Sequence, residues 1–273
     1  MEKDSFIAKI VYRLIKKHIV GNTMGSAIKK AKQLNSKGIL TSITFLSDAP
    51  KELSKSNYIT ATYIQLIREV SRPGLKASIH IPIEQIGEGL SSEAALANIK
   101  KLVEYGNKYG VFIWFEVGDI NDKIVDNILL FKGVGIACGD IKKAAGFVKK
   151  SKPKTLKLML SKKLGGNELE LIKKLAETTK LVVLLQNDPT IEKLISRNNY
   201  KNSLIFEFQL GYSEKKLWKL AKKGASIGVY LPFGKDWTSY AIKNMPSGYM
   251  HSIATNLLAE TEKGEDNGKK RKG

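Results

Sequence analysis

The sequence predicts an α/β protein folded as a (βα)8 barrel of the TIM type, and three observations favour this prediction. Short apolar runs of five to seven residues recur along the chain, each followed by residues with helical periodicity. The runs are nearly continuous rather than alternating, which is typical of strands buried on both faces of a parallel sheet. Eight such runs occur, the number that closes this type of barrel. An open, doubly wound sheet is the alternative, because a count made from sequence can miss one strand.

The eight runs are separated by loops that contain glycine, proline or aspartate, which end regular structure. In chain order they cover residues 39–45, 75–81, 111–117, 132–138, 155–160, 181–185, 203–208 and 225–231.

Helices are predicted between these strands where apolar residues recur at helical spacing. The predicted segments cover residues 92–109, 167–178 with Asn167 as N-cap, and 213–223 starting at Ser213. Two further helices, 5–18 and 23–37, are predicted before the first strand, and Thr23 is the expected N-cap of the second.

The chain is predicted to divide into three parts. Residues 1–38 form a helical segment, residues 39–260 form the barrel, and residues 261–273 contain no apolar residue and form a disordered basic tail.

Composition excludes several classes of protein. No apolar run approaches the ~18 residues of a membrane helix, and residues 6–20 carry four cations where a signal peptide would be apolar. The single cysteine, Cys138, excludes an internal disulfide and a Cys-x-x-Cys metal site, so no metal is predicted. A cytoplasmic protein is therefore expected.

The net charge indicates a polyanionic partner. The chain has 46 Lys and Arg residues against 26 Asp and Glu, a formal charge of +20. Thermostable proteins enrich lysine and glutamate together, whereas here the acids are far fewer. An unneutralised excess repels itself, and binding to a nucleic acid would relieve that repulsion.

Two clusters of basic residues are the candidates for this contact. Residues 142–163 contain nine lysines and no acid, and a second cluster lies in the tail. Lysine binds phosphate as a point charge, so backbone binding to RNA is predicted, with no DNA sequence specificity. The candidate residues are Lys142, Lys143, Lys149, Lys150, Lys152, Lys154, Lys162, Lys163, Lys269, Lys270, Arg271 and Lys272; Lys157 is the ninth lysine of the run.

In a barrel of this type, chemistry is expected at the carboxyl ends of the strands. The predicted strand ends place Phe45, His80, Glu116, Cys138, Ser161, Asn187, Gln209 and Phe233 at one mouth. Glu116 is either a general base or the partner of a neighbouring lysine. For His80 a structural, hydrogen-bonded role is favoured over acid–base chemistry, and for Cys138 a small buried residue is favoured over a nucleophile.

Two motifs on the last two predicted strands point to a known family. Residues 207–212 read EFQLGY and residues 229–237 read VYLPFGKDW, with Tyr240 in register. They resemble the E-F-Q-x-L-Y-G and V-Y-V-P-Y-G-x-x-W motifs of the proline dehydrogenase family, which are flavin-dependent (βα)8 barrels that oxidise proline by hydride transfer. The resemblance implies a barrel with FAD as cofactor, and a looser likeness runs back to the first strand.

The departures from the family pattern fall on the flavin site. His80 stands in the place of a family lysine, and Glu116 is what remains of a D-x-E pattern. Lys157 and Leu160 align with an arginine and a lysine, and Asn187 aligns with a histidine.

The substrate site departs as well. Lys243 and Asn244 replace the arginine pair that binds the substrate carboxylate. An arginine fork makes two charge-assisted hydrogen bonds of fixed geometry, each contributing about 1.5–3 kcal/mol. The substitutions therefore indicate a site that no longer performs this reaction.

The leading hypothesis is a non-catalytic proline dehydrogenase-like protein that binds the RNA phosphate backbone, with no cofactor. Ribosomal RNA and ribosomal proteins are the expected partners, which would make it ribosome-associated. The alternative is an FAD-dependent proline dehydrogenase. Its catalytic residues would be His80, Glu116, Tyr240 and Lys243, and its cofactor-binding residues Lys157, Asn187 and Gln209. A third hypothesis, a regulatory subunit of a dehydrogenase complex, explains the altered site but not the charge.

Overall fold

Eight parallel strands follow one another in chain order around a closed barrel. The structure is a computed structural model, and it describes residues 16–118, 122–151, 153–160, 165–185, 194 and 203–237. The strands are β1 Leu40–Phe45, β2 Ala77–Pro82, β3 Ile113–Glu116, β4 Val134–Cys138, β5 Thr155–Leu160, β6 Lys180–Leu185, β7 Leu204–Gln209 and β8 Ser226–Phe233. All eight predicted strands are confirmed, with boundaries within two residues.

Closure of the barrel joins its first and last strands. β1 pairs with β8 in parallel from Leu40 opposite Gly228 to Phe45 opposite Phe233. The remaining neighbours pair in sequence, from β1 with β2 to β7 with β8. The open, doubly wound sheet is therefore excluded.

Seven α-helices lie among the described residues. They are α1 Met24–Asn35, α2 Leu53–Val70, α3 Ser92–Tyr109, α4 Asp122–Leu130, α5 Ile141–Ser151, α6 Gly166–Thr178 and α7 Glu214–Lys222, with short 3-10 turns at Lys16–His18 and Ile83–Ile86. Residues 1–15, most of the first predicted helix, lie outside the described residues.

The helix starts confirm one predicted cap and correct another. Thr23 caps α1, since its hydroxyl oxygen accepts the amide of Ser26 at 3.2 Å. Asn167 does not cap α6, because that helix begins one residue earlier. Gly165 is the N-cap, and its amide donates to the Glu168 carboxylate at 2.8 Å. This contact is one half of a capping box, and it satisfies the backbone amide of the N-cap residue.

The apolar core lies between the strands and the helices that surround them. Successive strand side chains point to opposite faces, so Leu156 and Leu158 face the helices while Lys157 between them faces the lumen. Both leucines are fully buried, as are Ile79 and Ile81 on β2. Burying each such side chain contributes about 1.5–3 kcal/mol.

Residues 18–235 form one compact unit, which contains all eight strands. Residues 1–17 and 236–273 group separately, and the structure describes only residues 16, 17, 236 and 237 of that group. The predicted boundaries at residues 38 and 260 stay predictions. Among the described helices, none is long and apolar enough to cross a membrane.

Candidate active site in the barrel lumen

A buried ion pair occupies the centre of the lumen. The Nζ atom of Lys157 on β5 lies 2.8 Å from Oε2 of Glu207 on β7. The same Nζ donates to the Ser42 hydroxyl at 3.1 Å, and that hydroxyl donates to Oε1 of Glu207 at 2.7 Å. Because β1 and β5 are opposite each other in the barrel, the contact between Lys157 and Ser42 spans the lumen.

Aromatic rings enclose the lysine. Its ammonium lies 5.1 Å from the ring centroid of Trp114 and 5.7 Å from that of Tyr230, both within cation–π range. The indole Nε1 of Trp114 donates to the Ser78 hydroxyl at 3.2 Å. Gly135 on β4 leaves room for this indole, since a Cβ there would lie 2.6 Å from Cζ3 of Trp114.

His80 and Glu116 form a second polar pair. Nε2 of His80 on β2 lies 2.8 Å from Oε2 of Glu116 at the end of β3. The histidine side chain is fully buried, whereas the glutamate side chain is 34% exposed. The imidazole also packs edge-on against Tyr230, with ring centroids 5.1 Å apart. Glu116 is therefore the outer member of the pair and His80 the inner one.

Burial sets the protonation state of His80. Desolvation lowers the pKa of its imidazole, and the hydrogen bond to Glu116 opposes that shift only in part. A neutral imidazole carries one ring proton, so Nε2 donates it to the carboxylate and Nδ1 is left as an acceptor. Among the residues that the structure describes, Nδ1 is buried and has no hydrogen-bond partner.

Burial also lowers the pKa of the Lys157 ammonium, and the Glu207 carboxylate beside it raises that pKa back toward its usual range. Desolvation is the larger of the two effects, so the net pKa of this ammonium lies below its usual value.

This arrangement is unusual for the fold and indicates a function. The interior of such barrels is ordinarily filled by branched apolar side chains, while buried ion pairs often contribute less to stability than an apolar replacement. Titratable groups with perturbed pKa values that cluster in one cavity are typical of active sites. Chemically, the partly exposed Glu116 carboxylate can bind a cationic amine and accept its proton, and His80 fixes the orientation of that carboxylate.

The structure corrects the predicted position of His80. It does not lie at the strand end, because β2 continues to Pro82, which is opposite Glu116 on β3. His80 is therefore inside the lumen, two residues from that end. Glu116 and Gln209 do lie at the ends of their strands, and Gln209 is half-buried.

Cys138 is the small buried residue that the sequence favoured. It is 1% exposed, and desolvation raises the pKa of its thiol to about 12, so the thiolate nucleophile is scarce at neutral pH. Ser161, Asn187, Tyr240 and Lys243 lie outside the described residues.

Sequence reasoning missed the roles of Glu207 and Ser42. Glu207 was considered only as the first residue of the EFQLGY motif. An acid inside an otherwise apolar strand could have indicated a functional residue. Lys157 entered as a cofactor-binding candidate, and its partner could not be found from sequence because the two strands are separated by β6.

The lysines of the basic run, residues 142–163, differ in their exposure to solvent. Lys142, Lys149 and Lys154 are exposed. Lys157 is buried in the lumen and is not available to a phosphate. Lys152, Lys162, Lys163 and the tail residues 269–272 lie outside the described residues.

Neighbouring segments also supply partners to this run. Lys150 pairs with the Asp126 carboxylate of α4 at 2.7 Å, and Lys143 donates to the Gly118 carbonyl at 2.8 Å. Within the described ranges, no group of three or more metal-ligating side chains is present.

Comparison with known proteins places this site in context. The chain is 23% identical over 259 residues to proline dehydrogenase 1 of Bacillus subtilis (strain 168), which covers 84% of this chain and 85% of that protein. It is 22% identical over 262 residues to the proline dehydrogenase of Deinococcus radiodurans, with 84% of each chain covered. No model of a known protein family matches the chain.

Solved structures show the same fold. Proline utilization A (PutA) from Bdellovibrio bacteriovorus superposes with a TM-score of 0.70 at 15% identity over 86% of this chain. PutA from Corynebacterium freiburgense gives a TM-score of 0.69 at 13% identity over 93% of it. The chain spans about a third of the length of these PutA chains, 32% and 34%. The barrel fold and the resemblance of this chain to the proline dehydrogenase family are thereby confirmed.

Proposed function

We propose that this protein is a flavin-dependent dehydrogenase that oxidises proline, or a closely related cyclic secondary amine, by hydride transfer. Two lines of support meet here: the similarity to proline dehydrogenases extends over 84% of the chain, and the lumen holds an organised set of charged groups. The observation that carries the proposal is the partly exposed Glu116 carboxylate, held at 2.8 Å by the buried, neutral His80. The non-catalytic hypothesis gives no reason for this pair.

The donor set of the lumen fits a flavin. A flavin ring is flat, makes hydrogen bonds at its edge and gains negative charge on reduction. Gln209, half-buried at the end of β7, offers an amide to the ring edge, and Lys157, enclosed by Trp114 and Tyr230, supplies a buried cation in the lumen. Lys157 and Gln209 would hold the cofactor, and Asn187, outside the described residues, stays a predicted third contact. When bound, FAD would accept the hydride from the substrate carbon.

Glu116 would act on the substrate nitrogen. Oxidation of a secondary amine to an imine removes a hydride from carbon and a proton from nitrogen. The Glu116 carboxylate lies at the carboxyl end of β3, where it can bind the ammonium form and take that proton. Oε2 of Glu116 accepts the hydrogen bond from Nε2 of His80, so the imidazole fixes the orientation of the carboxylate.

The ion pair of Lys157 and Glu207 in the lumen would contribute electrostatically to this site. Lys157 is held by Glu207 and Ser42 at 2.8 and 3.1 Å, so its ammonium is fixed before any ligand binds. A fixed cation in a site of low dielectric stabilises negative charge that develops during a reaction, with no reorganisation at that moment. The partner of the substrate carboxylate stays the predicted Lys243.

Absorbance spectra and a dye-coupled assay test the proposal. We expect the purified protein to carry flavin and to reduce an acceptor dye when proline is added. Glu116→Gln should lower turnover by about 10²-fold or more, the scale of a lost general base. Glu104→Gln is the matched control, because it makes the same change at an exposed residue of α3. Protein without flavin and without proline-dependent dye reduction would overturn the proposal.

RNA binding is a second proposal, supported by the net charge of +20 and by the exposure of Lys142, Lys149 and Lys154. These lysines lie on α5 and the loop that follows it. Neither observation concerns the lumen, so the two proposals are independent. Association with the ribosome would be one form of this contact.

A further inference from the structure

A cavity of about 420 Å³ lies at the end of the barrel opposite to Glu116. Its wall is made by residues at the starts of the strands: Leu40, Ala77, Phe112, Thr155, Lys180 and Ile205 are among them. Its inner end is formed by Trp114 and Glu207, which belong to the lumen cluster. Pockets of this volume accommodate small organic ligands.

Small residues keep this space open. Layers of bulky side chains ordinarily fill such a barrel, and its amino end usually serves stability. Here Ser78 and Gly228 stand where larger side chains would fill the lumen. The cavity is open to solvent at its outer end, so a small molecule can enter it.

The charges around the cavity select the type of occupant. Lys76 and Lys180 lie at its outer end, both exposed, on the β2 and β6 sides that are opposite each other in the barrel. The carboxylate of Glu207, at the inner end, is already engaged by Ser42 and Lys157. The outer end therefore presents two cations, which favour a ligand with one anionic group there.

The wall between the two ends is apolar and aromatic. Leu40, Phe112 and Trp114 contribute surface against which a ring or a branched chain can pack. Aromatic pairs gain from edge-to-face and offset contacts in addition to the area they bury. A ligand would thus insert its apolar body and leave its anionic group beside the lysines.

We propose that this amino-end cavity is a second ligand site, for a small aromatic or branched-chain carboxylate. The site is separate from the mouth at which Glu116 lies and does not depend on the proposed dehydrogenase activity. Its recognition elements are Lys76 and Lys180 for the carboxylate and Phe112 and Trp114 for the apolar body.

Calorimetric titration with phenylacetate and with phenylacetamide, its neutral isostere, tests the site in the full chain. We expect phenylacetate to bind and phenylacetamide to bind more weakly. In Lys76→Gln/Lys180→Gln the affinity for phenylacetate should fall about twofold to thirtyfold, the range expected for two exposed ion pairs. Phenylacetamide should be affected little. Lys100→Gln/Lys101→Gln is the control, because it removes the same charge from the exposed face of α3.

A filling variant separates this site from the active-site mouth. Thr155→Phe places a ring in the cavity from the start of β5 and should abolish phenylacetate binding, with folding checked by circular dichroism. If Thr155→Phe does not fold, the titration of Lys76→Gln/Lys180→Gln is the test of the site. No heat of binding with phenylacetate at millimolar concentration, equal affinity for acid and amide, or unchanged affinity in Lys76→Gln/Lys180→Gln would each overturn the proposal.

Discussion

Lys157 and Glu207 form an ion pair of 2.8 Å in which neither side chain is more than 5% exposed. Removing two charges from water is costly, and their attraction offsets that cost only when further hydrogen bonds complete the geometry. Ser42 supplies those bonds to both partners. The two charges therefore depend on each other, and either one alone would be a buried, unpaired charge.

Substitution of Lys157 should test this dependence. Lys157→Met leaves Glu207 buried without a cation and should lower the free energy of unfolding by about 3–5 kcal/mol. Lys157→Met/Glu207→Leu removes both charges and should recover most of that loss. Urea unfolding of Lys157→Met, Glu207→Leu and the double variant gives the coupling energy between the two side chains. A double variant no more stable than Lys157→Met would contradict the assignment.

The pH dependence of stability should report the buried state of His80. An unfolded imidazole has a pKa of about 6.5, while burial lowers the pKa of His80 in the folded protein, with Glu116, Glu207 and Lys157 as the charged groups around it. As pH falls below about 6.5, the unfolded chain binds a proton that folded His80 does not, so stability decreases. His80→Gln should remove this part of the slope.

Proton NMR gives an independent measurement of the same group. The ring resonance of His80, assigned from its absence in His80→Gln, should not titrate in the range where a free imidazole protonates. A normal titration curve for this resonance would mean that His80 is protonated in the folded protein and that its Nδ1 is a donor.

Gly135 should be one of the least tolerant positions in the barrel. An added Cβ would meet Cζ3 and Cε3 of Trp114 at 2.6 and 2.8 Å. Gly135→Ala therefore displaces the indole that packs on Lys157, and we expect a loss of about 1–3 kcal/mol, the scale of overpacking. Gly146→Ala is the control, because nothing lies within 4 Å of a Cβ at that exposed position of α5. It should be neutral or stabilising by up to about 1 kcal/mol. Equal effects in thermal unfolding would contradict the role given to Gly135.

The strands were predictable because burial on both faces leaves a local signature. The run at 155–160 matches β5 residue for residue, and the helix at 92–109 matches α3. The site was harder to predict from the sequence, because its contacts join strands that are far apart along the chain. Lys157 pairs with a residue two strands away, and Lys150 of the basic run pairs with Asp126 of the preceding helix. Strand alternation alone could place Lys157 and Glu207 on inner faces, but not pair them.

RNA binding through the surface lysines predicts a specific salt dependence. If Lys142, Lys149 and Lys154 each contact a phosphate, replacing all three with glutamine should weaken binding strongly at moderate salt. The slope of log affinity against log salt should become shallower by about 0.7–0.9 for each lysine engaged. Lys150→Gln is the comparison, because Asp126 already pairs with Lys150, and it should change the slope less. Filter binding at several salt concentrations measures both quantities. A slope that the triple substitution leaves unchanged, or affinity that does not depend on salt, would show that these lysines do not contact RNA and that the +20 charge has another role.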